Sequence, residues 1–280
     1  MPLLKYRRYR PNHAAVMVPA GASEDAATTA WVNAVVAAGG SVGATQRGYV
    51  NTLITSLKAH SLWTIQERIW LHASENIKQA TIDIVNLGVA TEVSSPSFTA
   101  SQGYTGNGSS SYLDTGWSSG SNYTQNSASI SAYIRTSRAG NNNYAALARV
   151  DTATTGTSDM IWPLSGGVFS YDVNDGAFSN QPANTNAQGF WTASRTGAST
   201  LALYKNSNST AFGTATTASG SLASNTNFYI GARSNNNSAE WFSTDQIAIT
   251  TIGAGMSAAN VAQFQTDLNA YMTSLGTNVY

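Results

Sequence analysis

Residues 94–117 read SSPSFTASQGYTGNGSSSYLDTGW, and they mark the boundary between a helical leader and a long β-region. The segment is rich in Ser, Thr, Asn and Gly, which is typical of strands separated by polar turns. We predict short strands at 97–99 and 110–115, joined by a turn at 106–108 where the sequence is Gly-Asn-Gly. The chain is therefore expected to be mainly β from this point onward.

Strand-length runs continue to about residue 255, separated by polar turns at the spacing of a β-sandwich. The clearest is 129–135, where apolar residues alternate from Ile130 to Ile134 and would share one face. Further strands are predicted at 144–150, 168–173, 190–195, 200–204, 228–232 and 245–252. In the last of these, Ile247 and Ile249 are expected on the same face. Asn-rich turns are predicted at 140–143, 206–208 and 235–237.

The segment before the β-region has helical periodicity. Residues 24–60 predict a helical hairpin, with Gly39-Gly40 ending the first helix and Thr45 capping the second. A strand at 68–72 and a second at 81–85 are expected next, with a helical turn at 74–80 between them. We interpret this stretch as the joint between the helices and the sandwich.

The C-terminal residues predict one more helix over 257–275. Ser257 is a candidate N-cap, and Gly276 follows the last helical residue, where glycine commonly terminates a helix. The apolar residues of this helix repeat at intervals of three and four and form one narrow stripe: Val261, Phe264, Leu268, Tyr271 and Leu275. The stripe can pack on the rest of this chain or join a helix of another subunit.

Composition restricts the class of protein. The 280 residues allow one large all-β domain with a smaller companion, and charged residues are 10 % of the chain against about 25 % in ordinary globular proteins. Cysteine is absent, so disulfides and thiol chemistry are excluded. No apolar run approaches the ~20 residues of a membrane span, and no signal peptide is expected, because the basic N-terminal stretch lacks an apolar core.

The formal net charge is zero but unevenly placed. The first 23 residues are expected to form an extended basic arm, whereas the remainder is mildly acidic. Three interpretations of the arm stay open: a tether into a neighbouring subunit, a nucleic-acid contact and a solvated terminus. We favour the tether, whose anchoring residues would be Lys5, Tyr6, Arg7, Arg8, Tyr9 and Arg10.

Four stretches carry a resemblance to a known family: ENIKQATIDIV (75–85), SPSFTASQGYTGNGSSSYLDTG (95–116), FYIGARSNNNSAEWFSTDQIAI (228–249) and MSAANVAQFQTDLNAYMTSLG (256–276). They resemble concanavalin A-like, or laminin-G-like, jelly rolls, and more narrowly the jelly-roll virion structural proteins of tailed bacteriophages and phage-like particles. The resemblance implies attachment to a particle, commonly with glycan binding.

Catalysis is not expected. Glucanases of this fold commonly carry paired carboxylates on one strand, whereas Glu240 is the last glutamate of the chain and has no acid two or four residues away. The closest acid pair, Asp172 and Asp175, is expected to face different ways on a strand. The three histidines all lie before residue 73, far in sequence from any candidate nucleophile of the β-region.

The remaining polar and aromatic residues point to sugar binding. Aromatic rings stack on the apolar faces of pyranoses, and amides and hydroxyls satisfy the polar edges. The candidate glycan-binding residues are Trp117, Trp162, Tyr171, Trp191 and Trp241. We expect Trp117 and Trp162 to be the exposed ones because turns adjoin both, although rings of this size also fill sandwich cores.

Asp172, Asn174 and Asp175 are weak candidates for a calcium site, because carboxylate and amide oxygens are typical calcium ligands. A polar turn at a hairpin tip explains the same residues equally well. No other cofactor is expected.

These observations combine into one prediction. The fold is a mainly β, concanavalin A-like jelly-roll sandwich with an N-terminal helical segment and a C-terminal helix, divided as 1–23, 24–93 and 94–280.

The function is that of a non-enzymatic virion structural protein, such as a head decoration, spike or tail-fibre component, located on the virion surface. Its partners would be other virion proteins, further copies of itself in a homo-oligomer such as a trimer, and host surface polysaccharide. Membrane and nucleic acid are not expected partners. The alternatives are a stand-alone carbohydrate-binding module or glycanase-like protein, and a purely architectural cement protein.

Overall fold

The computed structural model describes residues 24–137, 144–176 and 180–280. The helices are α1 (Ala26–Ala37), α2 (Ala44–Ala59), α3 (Ile77–Thr81) and α4 (Ala258–Ser274). The strands are β1 (Gln66–Leu71), β2 (Thr91–Val93), β3 (Ser97–Thr99), β4 (Gly103–Thr105), β5 (Tyr112–Asp114), β6 (Ala128–Ile134), β7 (Leu147–Asp151), β8 (Thr157–Ser165), β9 (Val168–Asp175), β10 (Gly189–Gly197), β11 (Thr200–Lys205), β12 (Gly213–Ala215), β13 (Tyr229–Ile230), β14 (Arg233–Asn235), β15 (Ser238–Glu240) and β16 (Gln246–Gly253).

The strands form two sheets, each with eight strands in the described part of the chain. Sheet A runs β12-β11-β10-β6-β16-β4-β3, and β1 also pairs with β16. Sheet B runs β15-β14-β7-β13-β5-β2, and in addition β8 pairs with β7 and β9 pairs with β8. The mainly β sandwich with helices before and after it confirms the predicted fold class.

The molecule has three layers. One core fills the space between the sheets and contains Ile130 and Trp191 of sheet A and Ile161 of sheet B. A second core lies between the other face of sheet A and the helices, where Trp31 and Phe264 pack against sheet residues such as Phe190. Sheet A is therefore buried on both faces, which explains why β6 is buried at every position.

The predicted helical hairpin is confirmed as α1 and α2. The N-cap of α2 is Gly43, which makes no side-chain cap bond, so the expected capping by Thr45 is wrong. Asp25 caps α1 by accepting a hydrogen bond from Ala27 N. Among the described residues, no helix is long and apolar enough to cross a membrane.

The opening of the β-region is arranged differently from the prediction. Residues 97–99 do form β3, but β3 pairs with β4, which the sequence analysis missed. Strand β5 belongs to the other sheet, where it pairs with β2 and β13. The turn at 106–108 therefore connects the two sheets and is not a hairpin tip. The strand expected at 81–85 is also wrong, since that stretch follows α3 and makes only an isolated bridge between Ile82 and Val89.

A bulge in β16 overturns the expectation that Ile247 and Ile249 share a face. The register of β16 against β6 shifts between these two residues. Ile247 consequently points into the inter-sheet core, and Ile249 into the core beneath the helices.

The C-terminal helix is confirmed. Ser257 caps α4 by accepting a hydrogen bond from Asn260 N, and Gly276 has a φ of +69° after the last turn. Of the predicted stripe, four residues are buried and Leu275 packs partly buried against the same core. The stripe therefore packs within this chain, on α2 and on sheet A.

Candidate functional site

The structure buries most of the predicted glycan-binding aromatics. Trp117, Tyr171 and Trp191 belong to the inter-sheet core, with exposed fractions of 6 %, 1 % and 0 %. Trp162 is 8 % exposed, so the expectation that Trp117 and Trp162 are the exposed rings is wrong. Tyr171, Trp191 and Trp162 lie on strands at packed positions, where a sandwich needs large residues. Trp117 follows β5, and its ring packs against Tyr123 and Phe228.

Trp162 and Trp241 form a separate cluster. Their ring centroids are 4.7 Å apart, and the two rings pack with Ala148 and Met160 away from the inter-sheet core. The guanidinium of Arg233 lies 3.2 Å from the centroid of Trp241, and its Nε donates to Glu240 Oε1 at 2.7 Å. Trp241 itself is half-buried, and the ring and the guanidinium that contact it stabilise the edge of sheet B.

The calcium candidates do not converge on a cation-sized site. Asn180 Nδ2 lies 3.4 Å from Asp172 Oδ1 and 3.0 Å from Asp175 Oδ2, so an amide donor lies between the carboxylates. Arg195 Nη2 is 3.6 Å from Asp175 Oδ2. Within the described ranges, no group of three or more His, Cys, Asp or Glu residues could hold a metal ion. Asn174 instead donates its Nδ2 to Thr124 O at 3.0 Å and has a φ of +49°.

Asp172 is fully buried. Burial, and secondly the nearby Asp175 carboxylate, raise the pKa of Asp172 to about 8. A carboxyl group in this environment is protonated at neutral pH, which again disfavours cation binding at this position.

An exposed cleft lies where β11 ends and the chain turns toward β12. Its volume is about 470 Å³, and it is lined by Lys205, Asn206, Asn208, Thr210, Ala211 and Phe212. Phe212 is 38 % exposed and is one of few large apolar side chains at the surface of the described residues. We name this site the β11–β12 cleft. The turn at 206–208 was predicted from the sequence, whereas Lys205, Thr210 and Phe212 were missed.

The wall of the cleft is held in place by hydrogen bonds. Asn206 Oδ1 accepts from Phe190 N at 2.9 Å, and Asn208 Oδ1 accepts from Thr210 N at 2.8 Å. The buried side chain of Gln265 on α4 accepts from Ser207 N at 2.6 Å. Asn206 and Ser207 both have positive φ, with values of 57° and 59°. The turn is therefore a fixed, locally strained structure, which is characteristic of functional loops.

Gly189 makes this arrangement possible. It has a φ of +137°, and a Cβ atom at this position would lie 2.6 Å from Asn206 Oδ1 and 2.9 Å from Lys205 Cε. Only glycine lets the two cleft side chains approach the β10 backbone this closely.

Trp191 forms the floor beneath the cleft. It pairs with Lys205 across β10 and β11, and Lys205 Nζ lies 4.3 Å from the centroid of the indole ring. Phe212 meets the same indole edge-on at a centroid distance of 5.0 Å. The predicted residue Trp191 thus contributes by supporting Lys205 and Phe212 from below. Burial lowers the pKa of Lys205 from its usual value.

A second cleft, of about 500 Å³, lies between the α1–α2 turn and α3. Its polar groups are already used within the protein. Glu75 Oε2 accepts from Gly43 N at 2.9 Å and from Gln79 Nε2 at 3.0 Å, and Asn76 Nδ2 donates to Ser41 O at 2.9 Å. This cleft therefore offers few unsatisfied groups to a ligand.

The two histidines of the described residues do not add to the cleft. His72 is buried, and burial lowers its pKa to about 4. His60 Nδ1 lies 2.8 Å from Asp267 Oδ2 on α4, which joins two helices. The arm residues Lys5, Tyr6, Arg7, Arg8, Tyr9 and Arg10 lie outside the described residues, so their role in anchoring stays a prediction.

No protein-family model and no curated protein sequence matches this chain. Among solved structures, the chain is similar to the CBM40 of the Ruminococcus gnavus IT-sialidase bound to α2,3-sialyllactose, with 8 % identity, a TM-score of 0.37, and coverage of 50 % of this chain and 82 % of that one. It is also similar to a Trypanosoma rangeli sialidase in complex with 2,3-difluorosialic acid, with 8 % identity and a TM-score of 0.46. A mutant of that sialidase displaying trans-sialidase activity gives 8 % identity and a TM-score of 0.45. The matches to both T. rangeli sialidase structures cover 80 % of this chain but only 39 % of theirs. At TM-scores below 0.5, these likenesses indicate neither a shared substrate nor a shared activity.

Proposed function

We propose that this protein is a carbohydrate-binding β-sandwich that holds a saccharide in the β11–β12 cleft without transforming it. The observation that carries the proposal is the exposed ring of Phe212 beside a wall of amide and hydroxyl groups. An apolar ring suits the C–H face of a pyranose, and amides and hydroxyls suit its polar rim.

The size and rigidity of the cleft support the same proposal. A volume of about 470 Å³ lies within the range of small-molecule sites and accommodates one or two sugar rings. Hydrogen bonds from Phe190 N and to Gln265 fix the turn before any ligand arrives. A preformed site loses less conformational entropy when it binds, which favours a polar ligand of modest size.

Binding without catalysis is supported by the chemistry of the lining. None of the described residues that line the cleft carries a carboxylate, whereas glycoside hydrolysis ordinarily uses two. Glu240, the last glutamate of the chain, is bonded to Arg233. Asp172 and Asp175 are buried.

The test is a glycan-array screen with the full chain, followed by titration calorimetry on the best ligand. The variants are Phe212→Ala and Asn208→Ala, and Val36→Ala is the matched control because Val36 is 57 % exposed on α1. We expect Phe212→Ala to weaken binding at least tenfold, because it removes the stacking ring. Asn208→Ala should weaken binding several-fold, and Val36→Ala should bind like the wild type.

Two outcomes would contradict the proposal. One is a chain that binds no glycan on a broad array. The other is a glycan ligand whose affinity is the same for the wild type and for Phe212→Ala, provided that all proteins unfold at the same temperature.

We also propose, separately, that this sandwich is displayed in several copies on a tailed-phage particle. Its support is the sequence resemblance and the basic arm of residues 1–23. The mass of the protein in solution, with and without residues 1–23, tests it. A stable oligomer that dissociates on truncation is expected, whereas a monomer unaffected by truncation would favour a stand-alone binding module.

A further inference from the structure

Lys205 is the charged residue among those that line the β11–β12 cleft in the described part of the chain. Among the residues that the structure describes, its Nζ has one polar contact, a long one of 3.4 Å to Asn186 O. The other neighbour of the ammonium group is the face of Trp191, at 4.3 Å from the ring centroid. No carboxylate of the described residues forms an ion pair with it, unlike Lys58, which lies 2.7 Å from Asp25 Oδ1. A cation that is half-buried without a counterion is a preferred position for an incoming anion.

The hydrogen-bonding groups of the cleft also favour an anionic ligand. The amide oxygens of Asn206 and Asn208 are each occupied by a backbone N–H, from Phe190 and Thr210. Each of these oxygens therefore has one lone pair left, whereas the Nδ2 groups of the two side chains can only donate. The Lys205 ammonium also only donates. A neutral sugar hydroxyl both donates and accepts, whereas a carboxylate or sulfate only accepts, so the latter matches this set of donors better.

We propose that the saccharide bound in the β11–β12 cleft is an acidic one, with its carboxylate or sulfate held by Lys205 and by the amide groups of Asn206 and Asn208, and with a ring face on Phe212. This inference rests on the proposed function and deepens it by assigning the class of sugar. Burial of the ammonium also lowers the pKa of Lys205, as expected for a cation that lacks its counterion in the free protein.

The experiment uses pairs of glycans that differ only in charge. Oligogalacturonides and their methyl esters test the carboxylate, and sulfated galactans and their desulfated forms test the sulfate. The proteins are the wild type, Lys205→Met, Lys205→Arg and Lys78→Met. Methionine keeps an unbranched chain over Trp191 and removes the charge, arginine keeps the charge, and Lys78 is an exposed lysine on α3 that controls for net charge.

We expect the charged member of at least one pair to bind at least tenfold more tightly than its neutral partner. Lys205→Met should abolish that difference, Lys205→Arg should retain most of it, and Lys78→Met should retain all of it. Which pair shows the difference distinguishes a carboxylated from a sulfated ligand.

Equal binding of charged and neutral partners, or an unchanged difference in Lys205→Met, would overturn the assignment of an acidic sugar. If a neutral glycan binds and Phe212→Ala abolishes its binding, the proposed function stands and only the charge assignment fails. If no glycan of either kind binds, both fail together.

Discussion

Arg149 and Asp159 face each other on neighbouring strands inside the sandwich, with Arg149 Nε 2.6 Å from Asp159 Oδ2 and both side chains fully buried. Asp159 Oδ1 also accepts from Tyr123 Oη at 2.6 Å and from Asn174 N at 2.6 Å. Arg149 Nη1 donates to the carbonyl of Ala223 at 2.9 Å. The pair therefore connects β7 and β8 to two loops through the middle of the core.

Removing one partner of this pair should be costly. Arg149→Met leaves the Asp159 carboxylate buried without its counterion, and we expect a loss of about 3–5 kcal/mol in the free energy of unfolding. Urea titration followed by circular dichroism measures this loss. The double variant Arg149→Met/Asp159→Asn should recover part of it, because no unpaired charge is left. A loss below about 1 kcal/mol in the single variant would contradict a stabilising role for the pair.

Asp172 should make the protein less stable as the pH rises. Its folded-state pKa of about 8 lies above the unfolded value of 3.8, so the folded chain holds a proton that the unfolded chain releases between these values. The free energy of unfolding therefore falls with rising pH from about 4 to 8 through this group. Asp172→Asn removes the effect and should be more stable than the wild type at pH 8 but not at pH 4. Equal stability differences at both pH values would contradict the raised pKa.

His72 should act in the opposite direction. Its Nδ1 donates to Ala80 O at 2.8 Å, and its Nε2 accepts from Thr250 Oγ1 at 2.9 Å, so the buried ring is neutral. The folded pKa of about 4 lies below the unfolded value of 6.5, so stability from this group is present above pH 6.5 and is lost as the pH falls toward 4. In the wild type this slope offsets that of Asp172. We expect urea titrations of Asp172→Asn to show a free energy of unfolding that rises with pH between 4 and 6.5, with His72 contributing about 1.4 kcal/mol per pH unit. A flat profile in this variant between pH 6.5 and 4 would argue against a neutral buried His72.

Gly189→Ala should disturb the β11–β12 cleft. The new Cβ meets Asn206 Oδ1 and Lys205 Cε, so both side chains must move. Gly166→Ala is the matched control, because Gly166 also has a positive φ, of +59°, but has nothing within 4 Å of the added atom. Gly166→Ala should cost about 1–2 kcal/mol of stability for its left-handed conformation, and Gly189→Ala should cost more, because its φ of +137° lies outside that region. Only Gly189→Ala should also weaken glycan binding, by about tenfold, and calorimetry on the two variants decides this.

Local patterns predicted much of the fold. The alternation of β6 between the two cores and the caps of α4 depend on neighbouring residues, and both are confirmed. Strand β8 was not predicted, and it contains Pro163, a residue that strand interiors ordinarily exclude. The structure places Pro163 where the register shifts between Trp162 and Ser165, and a bulge of this kind tolerates proline. The pairing of β3 with β4 and the bulge in β16 depend on contacts between distant residues, which no local pattern specifies.

The candidate site was predicted less well. The Asn-rich turn at 206–208 was visible in the sequence, because asparagine tolerates positive φ. Phe212 was not singled out, although a lone aromatic residue in the polar run of residues 206–220 is the signal that could have indicated it. The tryptophans were predicted to bind glycans because large rings stack on sugars, yet a large ring on a sandwich strand is most often in the core. Exposure depends on the tertiary structure, and residue type alone does not reveal it.

The position of β1 has a consequence for how the chain folds as it is synthesised. β1 pairs with β16, and Gln46 of α2 donates to Tyr271 of α4, 225 positions later, at 2.6 Å. The core that α1 and α2 share with sheet A therefore cannot close until β16 and α4 have been synthesised. Contacts this distant in sequence slow folding and leave apolar surface exposed during translation.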